Sequence, residues 1–514
     1  MEYRKPLDHE TGGKNMGCSP TTRKPARGPV AMEFQGVRRG VMAHETVPCY
    51  MLTTKMDSKK IKMTENSISD RISDLPSNIT ECILYLLPIR DAVATSILSK
   101  GWRHKWTRIP NLVFDNEFFD NAVGIRSRRE VRMPFQYSNI ISKILLLHVG
   151  PVHKFILSIP SSFCNDLKLD LVSWMHFISR KEVKELTIQA HAEIKLPSYI
   201  FNCSELQSLN IHVRGLDLHP PQDFGGFCNL RVLGLLGVLD GTQISNLVSK
   251  CPLLERLSIC RVAERHTLVI DAPRLLSLWC GFPLNTYLKL KNGCRVTSIS
   301  LSLSLRLGRL GTSTMKFCDL FDIFCSVPNV VNVTLCCLRA INDMPQDAPT
   351  SLPTTLHNLR CITLLEIDIS SPQCILFILC ILRSSPNLLK LNLEIHPSGY
   401  IREEAALQVL DMQIKKPQTL NNLLIVKIKG LSGSKVEIMF INLILSCTPV
   451  LKTMYLTGNI VKEAEFTLMS ELLKCKRPSP EGQVMYSRYP GDSSIFNFSF
   501  RKEVARLSSM SDGL

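Results

Sequence analysis

Chemistry has few places to start in this chain. Twelve histidines are scattered through 514 residues, and two of them, His148 and His153, flank a Gly150-Pro151 turn with no carboxylate beside them in sequence. General-base work there would need a partner brought in by folding. His176 follows Trp174 in an apolar stretch and reads as a packed side chain. The 19 cysteines form neither a CxxC pair nor the Cys/His spacing of a zinc site, so they read as buried, reduced thiols. No GxxxxGK[ST], HExxH, GxSxG or EF-hand loop occurs, and Gly430-Leu-Ser-Gly433-Ser-Lys435 has the wrong spacing to cradle phosphate and reads as a turn. These residue types point to no catalytic residue, no cofactor and no metal, and so to a binding protein rather than an enzyme.

The elements that would carry binding are better marked. With 45% hydrophobic residues the chain can bury a large core. Lys+Arg 61 against Asp+Glu 45 leaves +16, yet no run of five basic residues occurs, which argues against nucleic acid as a partner. The first residues lack the apolar segment of a secretory signal, and the longest apolar run, Cys374 to Leu382, is far short of the ~20 residues of a spanning helix. A protein of the nucleus and/or cytoplasm is expected, with no membrane association. Residues 1–66 mix Gly, Pro, Thr and charge without an apolar period and read as a disordered tail.

Order is expected to begin near Ile68. Pro76 stands where a helix can start, and Ile79, Ile83, Leu86 and Leu87 recur at helical spacing before Pro88. A second helix follows from Asp91 with Val93 and Ile97 on one face, and a third aligns Leu98, Trp102 and Trp106. Three short helices bury little, so the unit must pack on the next domain or complete itself against a partner.

The order Leu75-Pro76, amphipathic helix, Leu87-Pro88, Asp91-Ala-Val, Thr95-Ser-Ile-Leu-Ser-Lys100, Trp102-Arg103, Trp106 and Pro110-Asn-Leu-Val-Phe-Asp115 resembles the F-box of plant F-box proteins. That resemblance implies docking on a Skp-type adaptor of a cullin-RING ubiquitin ligase. It assigns Leu75, Pro76, Ile79, Ile83, Leu86, Leu87, Leu98 and Trp102 to the docking face or to the packing behind it, without separating the two roles. Ala94 and Gly101 stand where the family usually has basic residues, and Lys105 where an apolar residue is common.

Beyond the F-box-like segment an apolar triplet of the form LxxLxL recurs, starting at Val183, Leu206, Leu230, Leu254, Leu275, Val296, Val330, Leu359, Leu388, Leu423 and Leu451. Spacing runs from 21 residues (254 to 275) to 35 (388 to 423). Pro252, Pro273, Pro328, Pro386 and Pro449 each stand two residues before a triplet, where 29 prolines in 514 would give roughly 0.6 by chance. Such a unit cannot bury its own apolar face, so the pattern predicts stacked repeats with parallel strands on one side and helices or irregular turns on the other. Cys203, Cys228 and Cys251, just before triplets, fit repeat corners. In the strand following Leu254, Leu257 and Ile259 should face the core, while Arg256 and Ser258 face outward as substrate-binding candidates.

The segments His148 to Phe155, Leu196 to Cys203, Lys250 to Leu257 and Asp271 to Leu275 resemble plant F-box/FBD/LRR-repeat proteins, and Leu423 to Tyr486 resembles the FBD motif that closes such chains. The resemblance implies an α/β fold: a three-helix F-box, a leucine-rich-repeat solenoid with parallel strands, and an FBD region that caps the open end. The expected division is 1–66 tail, 67–115 F-box, 116–182 linker and start of the solenoid, 183–410 repeats, 411–490 FBD region and 491–514 C-terminal tail. The function it implies is substrate recognition, the F-box docking to the Skp-type adaptor and the solenoid holding an unknown protein for ubiquitination. Two other readings stand beside it, a ligase-independent interaction protein and a small-molecule receptor.

Overall fold

The computed structural model describes residues 75–122, 133–160, 170–216, 218–262, 267–283, 287–291, 295–304, 317–336, 350–396, 403–415, 419–460, 462–474, 479, 482–488 and 496–498. The expected tail over 1–66 and the residues before Leu75 lie outside them.

Each of the eleven triplets does the same physical work. Its first residue sits in the turn before a strand, the strand begins two residues later, and the other two apolar residues are its inward positions; all three are buried in every triplet. The strands so formed are β3 (Glu185–Ala190), β4 (Ser208–Gly215), β5 (Val232–Leu239), β6 (Arg256–Val262), β8 (Ser277–Pro283), β10 (Ser298–Ser304), β11 (Asn332–Cys336), β12 (Cys361–Ile367), β13 (Lys390–Ile395), β14 (Ile425–Lys429) and β15 (Thr453–Thr457). They lie side by side in a parallel sheet, which β1 (Asn111–Phe114) and β2 (Lys154–Ile159) extend at one end and β16 (Gln483–Ser487) and β17 (Phe496–Phe498) at the other. Among the described residues the sheet has 15 strands. Only β17 is antiparallel, so residues assigned to a C-terminal tail add the last strand and end the parallel stack.

Helices cover the leucine-lined face: α6 (Gly241–Ser249), α7 (Phe317–Ser326), α8 (Pro372–Arg383), α9 (Glu403–Lys415), α10 (Lys435–Cys447) and α11 (Lys462–Lys474), after α3 (Asn116–Ala122), α4 (Met133–Leu147) and α5 (Leu171–Ile178) nearer the N-terminus. The apolar run at Cys374 is the buried helix α8. Four of the five prolines follow a helix, as expected. Pro273 instead follows β7 (Thr267–Asp271), which pairs in parallel with β9 (Tyr287–Lys291) in a separate two-stranded sheet lying against α6 and α7. These are the two 21-residue repeats, and so short a repeat leaves too few residues for a return helix.

Before β1, α1 (Ser77–Leu86) forms as expected, α2 (Ile89–Ala94) starts two residues before Asp91 and stops short of Ile97, and the third helix does not form. Thr95–Ile97 and Lys105–Arg108 are 3-10 turns separated by a loop at Gly101. Backbone hydrogen bonds join this unit to the sheet. Val149 and Gly150 donate their N–H groups to the Thr107 carbonyl, and His153 and Lys154 donate to that of Pro110. A Cβ on Gly150 would lie 2.7 Å from Arg108 Cα, so only glycine permits the approach. Lys181 Nζ donates to the Gly150 carbonyl over 3.0 Å.

His148 belongs to this junction. Its ring is buried, Nε2 lies 2.8 Å from the Ile109 carbonyl and therefore donates, and Nδ1 has no partner. Burial lowers its pKa below the usual 6.5, the Ile109 hydrogen bond opposes that, and nearby Lys181 adds to it. The unfolded chain therefore takes up the proton first. The neutral ring contributes stability that is complete above about pH 6.5 and is lost as pH falls below it. The melting temperature should drop between pH 7 and pH 5, and His148→Gln, which keeps a donor for Ile109, should flatten that drop.

The glycine-rich spot at Gly430 is a turn, as expected. Gly430 has φ 80°, and a Cβ there would lie 2.1 Å from the Ile395 carbonyl oxygen. The buried carboxylate of Glu437 accepts from the amides of Ser432, Gly433 and Ser434 and from the Ser432 hydroxyl, while Ser434 Oγ accepts from Glu437 N and caps α10. These loop amides are spent within the chain, which is why the loop is no anion cradle.

Candidate protein-binding surfaces

The first surface lies on α1. Its inward side consists of Thr80 and Leu84, both buried. Thr80 Oγ1 donates to the Ser77 carbonyl at 2.9 Å and accepts from Lys105 Nζ at 3.0 Å, and the Lys105 ammonium sits 5.1 Å from the Trp102 ring centroid. Lys105, unusual for the resembled motif, thus bridges α1 to the turn beneath it. With Leu84, Ile89, Ala92, Val93, Trp102, Trp106 and Ile109 buried, the small core is complete on that side.

The apolar stripe noted in the sequence therefore points the other way. Ile79, Ile83 and Leu86 are exposed, Leu86 at 86%, and they share one helix face. Leu98 is 58% exposed, whereas Trp102 at 2% is packed beneath and presents nothing outward. Leu87 is half-buried against the core, Leu75 is half-buried, and Pro76 is exposed with its carbonyl accepting from the Ile79 and Thr80 amides. Sequence reading missed Tyr85 and Ile97 as exposed apolar neighbours. Ile97 was expected to pack with Val93, but the α-helix gives way to a 3-10 turn at Thr95, whose tighter winding carries Ile97 out to solvent.

The second surface is the sheet face turned away from the leucine core. Its residues form rows across the strands. Arg256 lies between Val232 and Ser277, and Ser258 between Gly234 and Trp279. Arg256 is exposed and Ser258 half-buried, as alternation requires. Trp279, which sequence reading passed over, is half-buried on this face; its place between inward Leu278 and Cys280 was the available signal. Further along the same row come Thr334, Thr363, Asn392, Lys427 and Tyr455, with the Lys427 ammonium 5.1 Å from the Tyr455 ring centroid.

The described thiols range from buried to exposed. Burial pushes the Cys203, Cys251 and Cys374 thiols up to about 12, which keeps them protonated and inert, whereas Cys82 on α1 and Cys228 are exposed. Cys228 therefore departs from the buried corner expected for it. Brief treatment with N-ethylmaleimide should modify Cys82 and Cys228 and spare Cys203, Cys251 and Cys374, as read by peptide mass spectrometry. Among the described residues no three His, Cys, Asp or Glu side chains gather as a metal site. No described helix is long and apolar enough to cross a membrane.

Comparison with known sequences agrees with this geometry. A model of the F-box domain matches residues 72–114, and one described as FBD-associated F-box protein At5g56370, LRR repeats, matches 171–288. The chain is 32% identical over 421 residues to F-box/FBD/LRR-repeat protein At1g13570 of Arabidopsis thaliana, spanning 81% of this chain and 98% of that protein. It is 30% identical over 219 residues to F-box/FBD/LRR-repeat protein At5g56420 of the same plant, covering 41% and 49% of the two chains.

Proposed function

The chain belongs to the F-box/FBD/LRR-repeat proteins, and from that premise we propose that it is the substrate-recognition subunit of a Skp-cullin-F-box ubiquitin ligase. In this reading the exposed face of α1 docks on the Skp-type adaptor, the open sheet face holds a protein substrate, and catalysis comes from proximity supplied by the other subunits. The chain itself is non-catalytic and works in the nucleus or cytoplasm.

The observation that carries the reading is the outward stripe of Ile79, Ile83 and Leu86 on α1, with Leu98 also exposed, above a core already closed by Leu84, Trp102 and Trp106. Apolar side chains gathered on one face and left exposed among the described residues mark a protein-interaction site. The junction at Gly150 adds a second support: it fixes the docking unit to the first strands of the sheet, so adaptor and substrate would be held at a set separation.

The test is copurification. Full-length chain should retain a Skp-type adaptor and cullin, and the double substitution Leu75→Ala, Pro76→Ala should release both while leaving the circular dichroism of the solenoid unchanged. Absence of adaptor from the unmodified chain would favour a ligase-independent interaction protein.

A further inference from the structure

The open sheet face carries a groove of about 590 Å³ along the carboxyl ends of β2 to β6. Its polar lining includes Asn116, Gln189, His191, His212 and Arg214, and among the described lining residues there is no carboxylate. Burial lowers the His212 pKa, so its ring is neutral at physiological pH and offers one N–H donor. Arg214 and His191 are exposed at the rim. Leu236 supplies apolar floor between His212 and Cys260. The β6 end of the groove is at Cys260, and beyond it the Trp279 indole leans over Gly281: a Cβ on Gly281 would stand 3.6 Å from Trp279 Cη2 and 3.0 Å from Cys260 Sγ.

From this arrangement we infer that the groove binds an extended acidic peptide segment, its carboxylates facing Arg214, His191 and His212 and an apolar side chain resting against Trp279. Three features select that occupant. The lining offers donors from Asn116, Gln189, the two histidines and the exposed Arg214 guanidinium, with no carboxylate among the described lining residues, which suits a carboxylate ligand. Along the row Ser158, Gln189, His212, Leu236, Cys260 the lining passes from polar to apolar toward Trp279, which sets carboxylates at one end and an apolar side chain at the other. Crossing five strands at ~4.8 Å spacing gives roughly 19 Å, the length of about six extended residues. The inference rests on the reading of this face as the substrate surface and names the class of segment it takes.

The experiment is selection of random peptides displayed on phage by the full-length chain, followed by fluorescence anisotropy with the best labelled peptide. Enrichment of Asp and Glu is expected, with affinity falling by about tenfold or more on Arg214→Glu and on His191→Glu, both exposed positions. Lys429→Glu makes the same charge change as Arg214→Glu at an exposed position of the same sheet face on β14, outside the groove, and should stay within about twofold. An unchanged melting curve establishes that each variant is folded, and two groove variants are used so that loss of one leaves the test standing. Selection without acidic enrichment, or equal losses at Arg214 and Lys429, overturns the inference. So does displacement of the peptide by glutarate at equal carboxylate concentration, which would make the groove a small-acid site. Adaptor copurification is scored separately. A chain that retains the adaptor but selects no acidic peptide sinks this inference alone, and one that selects acidic peptides without retaining adaptor sinks the ligase reading alone.

Discussion

A chain carrying Ile83→Glu and Leu86→Glu should fail to copurify with a Skp-type adaptor while melting at the temperature of the unmodified protein. Both side chains lie on the outer face of α1, and Leu86 is almost fully exposed, so charge there costs little in the free chain. In a complex the same carboxylates would be desolvated against an apolar partner without a counter-charge. Buried interface positions of this kind dominate binding, and a loss of at least ~100-fold, about 2.7 kcal/mol, is expected. Trp102→Ala is the contrasting variant. Its indole is packed beneath Lys105 and the helices, so its removal should destabilise the docking unit by about 3 to 5 kcal/mol. Equal adaptor retention by the double glutamate variant, measured by pull-down, would show that the partner uses another face.

Leu257→Ala should cost about 2 to 5 kcal/mol, and Arg256→Glu should stay within about 0.5 kcal/mol. Leu257 is buried beside Leu233 and Leu278 of the neighbouring strands, so truncation opens a cavity inside a stack whose repeats support only their neighbours. Loss of amide protection should therefore extend into β5 and β8 in hydrogen exchange. Arg256 is exposed on the opposite face, and its reversal should alter substrate capture without moving the melt. A stable Leu257→Ala protein together with an unfolded Arg256→Glu protein would mean that the strand runs one residue out of register.

The triplets were legible because they are local. A strand needs only its own alternation to declare an inward face, and Leu254, Leu257 and Ile259 do so without reference to any distant residue. Two further triplets follow the same rule, Ile109-Leu112-Phe114 and Val152-Phe155-Leu157, all buried and each followed by its strand after two residues. The first is masked in the sequence because it completes the F-box-like motif, and the second falls in 116–182, the stretch expected to hold a linker and the start of the solenoid. The strands β7 and β9 were not legible either, since an apolar alternation on the helix side looks like any other strand until the sheet it joins is known.

The sequence by itself determined the family, the parallel repeat, the inward register of its strands and the presence of an apolar stripe on α1. Tertiary structure decided which way that stripe points. Apolarity says that a side chain avoids water but not whether its shield is the chain's own core or another protein, and only the placement of Leu84, Trp102 and Lys105 beneath α1 leaves Ile79, Ile83 and Leu86 outside. The groove was decided the same way. Gln189, His212 and Cys260 are separated by more than twenty residues at each step, and they become neighbours because parallel pairing sets β3, β4, β5 and β6 in register, a relation that exists only once the repeats have stacked.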